Sequence, residues 1–223
     1  MNQEQALSLL KETKLVAILR GIPVKQATDI ATALYDGGVR VLEFTFDYDD
    51  PDCVAHNCQR IRAVKKIFGD EMVVGCGTAL TVQEVEASVE AGGQIVISPN
   101  VDVSVIAKTK ALGAISMPGA LTPTEIVMAY NAGADIVKLF PAGTLGVPYI
   151  KAVRGPLGYI PMSAVGGVRP ETIADFLNVG VCGFGVGGEL VKKEFVRSGD
   201  MNALTSRARK FVHAIEQWEA NRS

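Results

Sequence analysis

Residues 133–146 read GADIVKLFPAGTLG. The run from Asp135 to Pro141 has the make-up of a short buried strand, β-branched and aromatic residues closed off by proline and glycine, yet Lys138 stands in its middle. A cation there sits where burial costs most, so it either reaches water or does chemistry. The stretch is also one copy of a recurring unit: an apolar run, Gly or Pro punctuation, then a segment of helical periodicity.

Working outward, strand-like runs fall at 15–20 (LVAILR), 39–46 (VRVLEFTF), 71–79 (EMVVGCGTA), 94–100 (QIVISPN), 114–120 (AISMPGA), 135–141 (DIVKLFP), 160–167 (IPMSAVGG) and 182–188 (CGFGVGG). Helix-length segments separate them, several opening on Thr or Pro and closing on Gly, for example TVQEVEASVEAGG and TPTEIVMAYNAGA. Eight such units at about 28 residues each predict an α/β fold, a compact (β/α)8 TIM barrel. An extra N-terminal helix precedes the first strand, and the segment from Gly199 to Asn221 supplies the last helix. With 223 residues and 48% hydrophobic content, the expectation is a single domain over 1–223. A doubly wound open sheet is the rival architecture.

A formal net charge of −2 offers no basic face to a nucleic acid or an anionic membrane. The N-terminal stretch lacks a signal peptide's apolar run, and no later run approaches a membrane span, so a cytoplasmic location is expected. Four scattered cysteines suggest free thiols rather than a disulfide frame. The two histidines, His56 and His213, fall on expected surface helices, so no histidine-rich metal centre is expected.

Barrel active sites lie at the carboxyl ends of the strands, which directs attention to Arg20, Glu43, Thr45, Asp47, Thr78 and Lys138. Alternation puts Glu43 and Thr45 on one face and Lys138 and Phe140 on another, so the lysine and the glutamate can meet in one pocket. A free lysine is about a thousandfold protonated at neutral pH, and burial that lowers its pKa by about three units, roughly 4 kcal/mol, makes the neutral amine available. That amine condenses with a ketone to a Schiff base, whose iminium accepts the electrons of a breaking C–C bond. Desolvation would raise Glu43 toward neutrality and suit it to proton transfer. The structural alternatives are a Lys138–Glu43 ion pair across the barrel and a solvated Glu43 at the strand's end. A further functional alternative is a phosphosugar isomerase or epimerase with Glu43 as base and Lys138 as a charge.

These residues resemble a known family, the 2-keto-3-deoxy-6-phosphogluconate (KDPG) and 4-hydroxy-2-oxoglutarate (KHG) aldolases. GADIVKLFPAGTLG is similar to the family's Schiff-base signature, with Lys138 at the imine-forming lysine, and GGVRVLEFTF to its general-base segment, with Glu43 at the glutamate. VGCGT resembles the motif whose threonine, here Thr78, lies beside the substrate; ISPN places Pro99 near the pyruvoyl group; MPG supplies Pro118; AILRG supplies Arg20; and Phe140 matches a wall residue. The resemblance implies a cofactor-free lyase yielding pyruvate and an aldehyde (glyceraldehyde 3-phosphate or glyoxylate), usually homotrimeric, with a small keto-acid substrate and no metal.

Three departures bear on the substrate. Asp47 stands where many members have a carboxylate-gripping arginine, so either Arg20, Thr78 and backbone amides take that task or the substrate differs. Val165 precedes the pair Gly166 and Gly167 where KDPG enzymes carry threonine, as in the 6-phosphogalactonate branch. Gly188 replaces a serine, with Glu189 next to it. Gly166, Gly167, Gly187 and Gly188 nevertheless form the expected phosphate cradle, together with a short helix's N-terminus.

Overall fold

The computed structural model describes residues 1–222. The strands are β1 (Leu15–Leu19), β2 (Val41–Thr45), β3 (Val73–Gly77), β4 (Ile95–Ile97), β5 (Ile115–Met117), β6 (Gly119–Ala120), β7 (Val137–Leu139), β8 (Met162–Val165) and β9 (Gly183–Val186). Around them lie α1 (Gln3–Thr13), α2 (Ala27–Asp36), α3 (Cys53–Phe68), α4 (Val82–Glu90), α5 (Val103–Ala111), α6 (Pro123–Asn131), α7 (Ala142–Leu157), α8 (Ile173–Asn178), α9 (Lys193–Ser198) and α10 (Met201–Ala220). The strand order is β5-β4-β3-β2-β1-β9-β8-β7-β6, every pairing parallel.

The ends of that order, β5 and β6, are two halves of one run, so the sheet closes into a barrel of eight strands as expected. The break between them is Pro118, which has no N–H to give the ladder. Residues 115–117 pair with β4 and residues 119–120 with β7. The open doubly wound alternative is thereby excluded.

Because the barrel is filled inside and wrapped outside, its strands are buried on both faces. Leu42, Phe44 and Phe46 belong to the outer layer against the helices, while Val16, Val41, Val73, Ile95, Ile115 and Ile136 belong to the inner one. The inner layer also contains Ala6 and Leu10 of α1, which close the amino-terminal end of the barrel. That is the role of the extra helix, started by a reciprocal Asn2–Gln5 capping box.

Local signals in the sequence set the other helix starts. Thr81 with Glu84 and Thr122 with Glu125 form capping boxes at α4 and α6, and Pro123 occupies the first turn of α6. In α10 the buried residues Leu204, Ala208, Phe211 and Ile215 recur at helical spacing, and Thr205 Oγ1 donates to the Ala33 carbonyl of α2 at 2.8 Å. All four cysteines are free thiols, Cys58 and Cys76 among them buried.

Truncating Leu10 should leave a cavity under the barrel, far from the carboxyl ends of the strands. Leu10→Ala is expected to lower unfolding free energy by about 3 kcal/mol in urea titration while leaving ligand binding at the opposite end unchanged.

Candidate active site

Glu43 sits in the middle of β2, beside Ile18 of β1 and Gly75 of β3. With Phe44 and Phe46 committed to the helices, alternation turns Glu43 inward, where it is only 2% exposed. A solvated glutamate is therefore excluded. Its carboxylate extends along the inner wall over Gly77, where a Cβ would lie 1.5 Å from Glu43 Oε2. A side chain at 77 would have to displace that carboxylate, a link that reading β3 alone does not disclose.

Lys138, 7% exposed, projects inward from β7. Its backbone N–H donates to the Pro118 carbonyl at 2.9 Å, and its Nζ lies 5.0 Å from the centroid of the Phe140 ring. The alternative, a cross-barrel ion pair, is not formed: among the described residues no salt bridge joins Lys138 to Glu43, and Glu43 Oε2 has no hydrogen-bond partner.

Both side chains face one cavity of about 370 Å³, with Arg20, Thr78, Pro99, Phe140, Val165, Gly166, Gly167, Gly187 and Gly188 also lining it. Of the residues singled out in the sequence, Pro118, Thr45 and Asp47 are absent from this wall. Pro118 nonetheless acts on the site through its carbonyl, which holds the Lys138 backbone. Ile18, two residues before Arg20, and Glu189 also line the cavity; Ile18 was findable by strand alternation. Asp47 faces elsewhere, into a neighbouring hollow of about 440 Å³ that shares Arg20 and includes Asp49, Lys193 and Arg197.

The carboxyl-end loops are held in demanding conformations. Thr78, β-branched, adopts φ 59°, a left-handed geometry that side chains of this shape rarely tolerate. Tyr48 braces it: its single hydroxyl proton is shared between Glu84 Oε1 at 2.8 Å and the Thr78 carbonyl at 3.0 Å. Burial, and then the Glu84 carboxylate, raise the Tyr48 phenol, so it stays a donor. Tyr48 was missed in the sequence, where nothing distinguishes it from a surface tyrosine.

Gly166 and Gly167 take φ 89° and 72°, which only glycine adopts without strain, and this bends the chain after β8 around the cavity. The loop after β9 differs from expectation. Residues 187–190 form a turn, with Leu190 N–H donating to the Gly187 carbonyl at 2.9 Å, and α9 starts only at Lys193, which lines the neighbouring hollow. The four glycines thus face the cavity without a helix N-terminus behind them.

The electrostatics follow from burial. Desolvation pushes Glu43 up to about 7, against the pull of Lys138 and Arg20 in the other direction. Desolvation lowers Lys138, Arg20 adds to the lowering, and Glu43 opposes both. The pair therefore has a base that exchanges protons near neutrality beside an amine shifted toward its neutral form.

A carboxyl whose folded pKa is raised costs nothing below its unfolded value and most above its folded value. For Glu43 that cost grows between pH 4.5 and about 7. Glu43→Gln should match wild-type stability near pH 4 and exceed it by about 3 kcal/mol near pH 8 in denaturant titrations. An equal difference at both pH values would refute a buried, ionising Glu43.

Comparison with known proteins points the same way. A family model described as KDPG and KHG aldolase matches residues 7–207. The chain is 35% identical over 179 residues to the 2-dehydro-3-deoxy-6-phosphogalactonate aldolase of Escherichia coli K12, covering 80% of this chain and 84% of that one. To the KHG/KDPG aldolase of the same strain it is 32% identical over 216 residues, covering 95% and 96%. Among solved structures, one described as native KDPGal superposes with a TM-score of 0.83 at 32% identity, covering 92% of this chain and 96% of that one. Matched along most of its length by the family's pattern and by relatives of both substrate types, the chain belongs to the KDPG and KHG aldolase family.

Proposed function

We propose that the chain is a class I aldolase cleaving a 2-keto-3-deoxy-6-phospho sugar acid to pyruvate and glyceraldehyde 3-phosphate. The observation that carries this reading is the shared cavity: a buried lysine and a buried carboxylate face the same space without pairing to each other.

In this mechanism the neutral Lys138 amine attacks the C2 ketone, and loss of water gives the iminium. Glu43, through a water, takes the C4 hydroxyl proton as the C3–C4 bond breaks and its electron pair enters the iminium as an enamine. The aldehyde departs. Glu43 returns the proton to C3, and hydrolysis frees pyruvate and Lys138. The lysine serves as the electron sink, so the route needs no metal or other cofactor.

Arg20 and the strained Thr78 segment hold the keto-acid carboxylate in place of the arginine that Asp47 replaces. Pro99 and Phe140 wall the pyruvoyl group, and Val165 lies against C4. Gly166, Gly167, Gly187 and Gly188 offer backbone N–H groups to the phosphate. Pro118 positions Lys138. Between the epimers, Val165 favours the galactonate form, since valine offers the C4 hydroxyl no hydrogen bond from that side; the 35% identity to a phosphogalactonate aldolase supports the same choice.

The enzyme works as one barrel domain in the cytoplasm, without nucleic-acid or membrane partners. Among the described residues no helix is long and apolar enough to cross a membrane. A homotrimer fits the family resemblance, and exposed Leu121 and Met128 offer apolar surface for subunit contact.

Incubation with pyruvate and borohydride, followed by intact-mass and peptide mapping, should give one reduced adduct on Lys138. Lys138→Ala should give none, and Glu43→Gln should still form the adduct but exchange pyruvate methyl protons at least about a hundredfold more slowly. Absence of the wild-type adduct would favour the isomerase alternative. With both epimers as substrates, kcat/KM should favour galactonate, and Val165→Thr should shift the ratio toward gluconate by about tenfold.

A further inference from the structure

Glu189 presents a difficulty for the phosphate cradle. It follows Gly188 directly and lines the same cavity, so an uncompensated carboxylate there would repel a phosphorylated substrate. The fold answers from outside the barrel. Arg207 of α10 donates through Nε to the Glu189 carbonyl at 2.8 Å, and its Nη2 lies 3.4 Å from Glu189 Oε2. One guanidinium grips both the backbone and the side chain of the same residue.

Arg207 is itself fixed. Its side chain is 18% exposed, against 45% for Glu189, and its guanidinium lies 5.1 Å from the ring centroid of Phe211, fully buried one helical turn on. A long cation held in one place by packing loses little freedom in making the pair. Glu189, the more exposed partner, is the one being positioned.

We infer that Arg207 is a positioning residue for substrate specificity: by binding and neutralising Glu189 it keeps the glycine-lined end of the cavity receptive to a dianionic phosphate. The inference rests on the proposed aldolase reading with phosphate in that cradle. It makes the last helix, remote in sequence from Lys138 and Glu43, a determinant of which sugar acids the enzyme accepts. Arg207 touches Glu189 rather than the reacting carbons, so its loss should register in KM and not in the chemical step.

The test uses the full-length enzyme in four forms: wild type, Arg207→Gln, Arg207→Lys and the double variant Arg207→Gln/Glu189→Gln. Cleavage is measured on 2-keto-3-deoxy-6-phosphogalactonate and on its unphosphorylated counterpart, alongside proton exchange of pyruvate, which does not occupy the phosphate end. Arg207→Gln should raise KM for the phosphorylated substrate by about tenfold, with kcat within about twofold and with the unphosphorylated KM and pyruvate exchange unchanged. The double variant should restore KM, and Arg207→Lys should stay near wild type. Restoration by removing a second charge distinguishes electrostatic compensation from a packing defect, because the double variant lacks the same arginine. An equal rise in KM for both substrates, failure of the double variant to restore KM, or Arg207→Lys behaving like Arg207→Gln would overturn the inference. So would a wild type indifferent to the phosphate. A wild type that forms no pyruvate adduct would instead remove the aldolase reading on which it rests.

Discussion

Desolvation of two opposite charges is the constraint on which this barrel is organised. Glu43 and Lys138 are both nearly inaccessible, yet neither relieves the other with a direct ion pair. Such an arrangement lowers stability, and it is held by a surrounding structure that leaves neither side chain another place to go. Apolar residues fill the inner layer beneath them, Phe44 and Phe46 pack in the outer layer and so leave Glu43 facing inward, and Gly77 on β3 leaves room for its carboxylate. Proton exchange near neutrality is the return on that instability.

Around this centre the roles divide by distance from the reacting carbons. Strand residues hold the lysine and the glutamate rigidly, as expected of side chains embedded in a packed barrel. The loop residues are supported more indirectly: Tyr48 tethers the strained Thr78 to the cap of α4, and Arg207 reaches from α10 to Glu189. Both supports join segments far apart in the chain, so the mouth of the cavity is shaped by tertiary contacts more than by local turn preference.

That division explains what was legible in the sequence. Alternation along β2 and β7, together with turn punctuation, was enough to place Lys138 and Glu43 on inward faces and to count eight strands, because period-two patterning is a local property. Capping boxes at Thr81 and Thr122 likewise reveal themselves within a few residues. The split of the fifth strand at Pro118 was not foreseen, since its two halves look like one run until their different partners are known. Gly77 reads as one more residue of the third strand until the glutamate leans over it. Tyr48 and Arg207 carry no local signal, being ordinary surface residue types whose partners are supplied by other elements. The position of α9 was also missed, because GGELVKKE suits a turn as well as a helix start.

The helix at the amino-terminal end has a kinetic meaning. Ala6 and Leu10 pack into the inner layer at the bottom of the barrel, and the cavity's lining comes from the carboxyl ends of the strands and the glycine loops, the side from which a substrate reaches it. In the proposed reaction, pyruvate held at the depth of Lys138 is last out in cleavage and first in during synthesis, while the aldehyde half occupies the outer part of the channel. Traffic is therefore ordered by depth as well as by covalency. On that reading the enamine forms at the deep end, and the aldehyde it meets is selected at the rim, where loop substitutions can change the partner without disturbing the buried charges below.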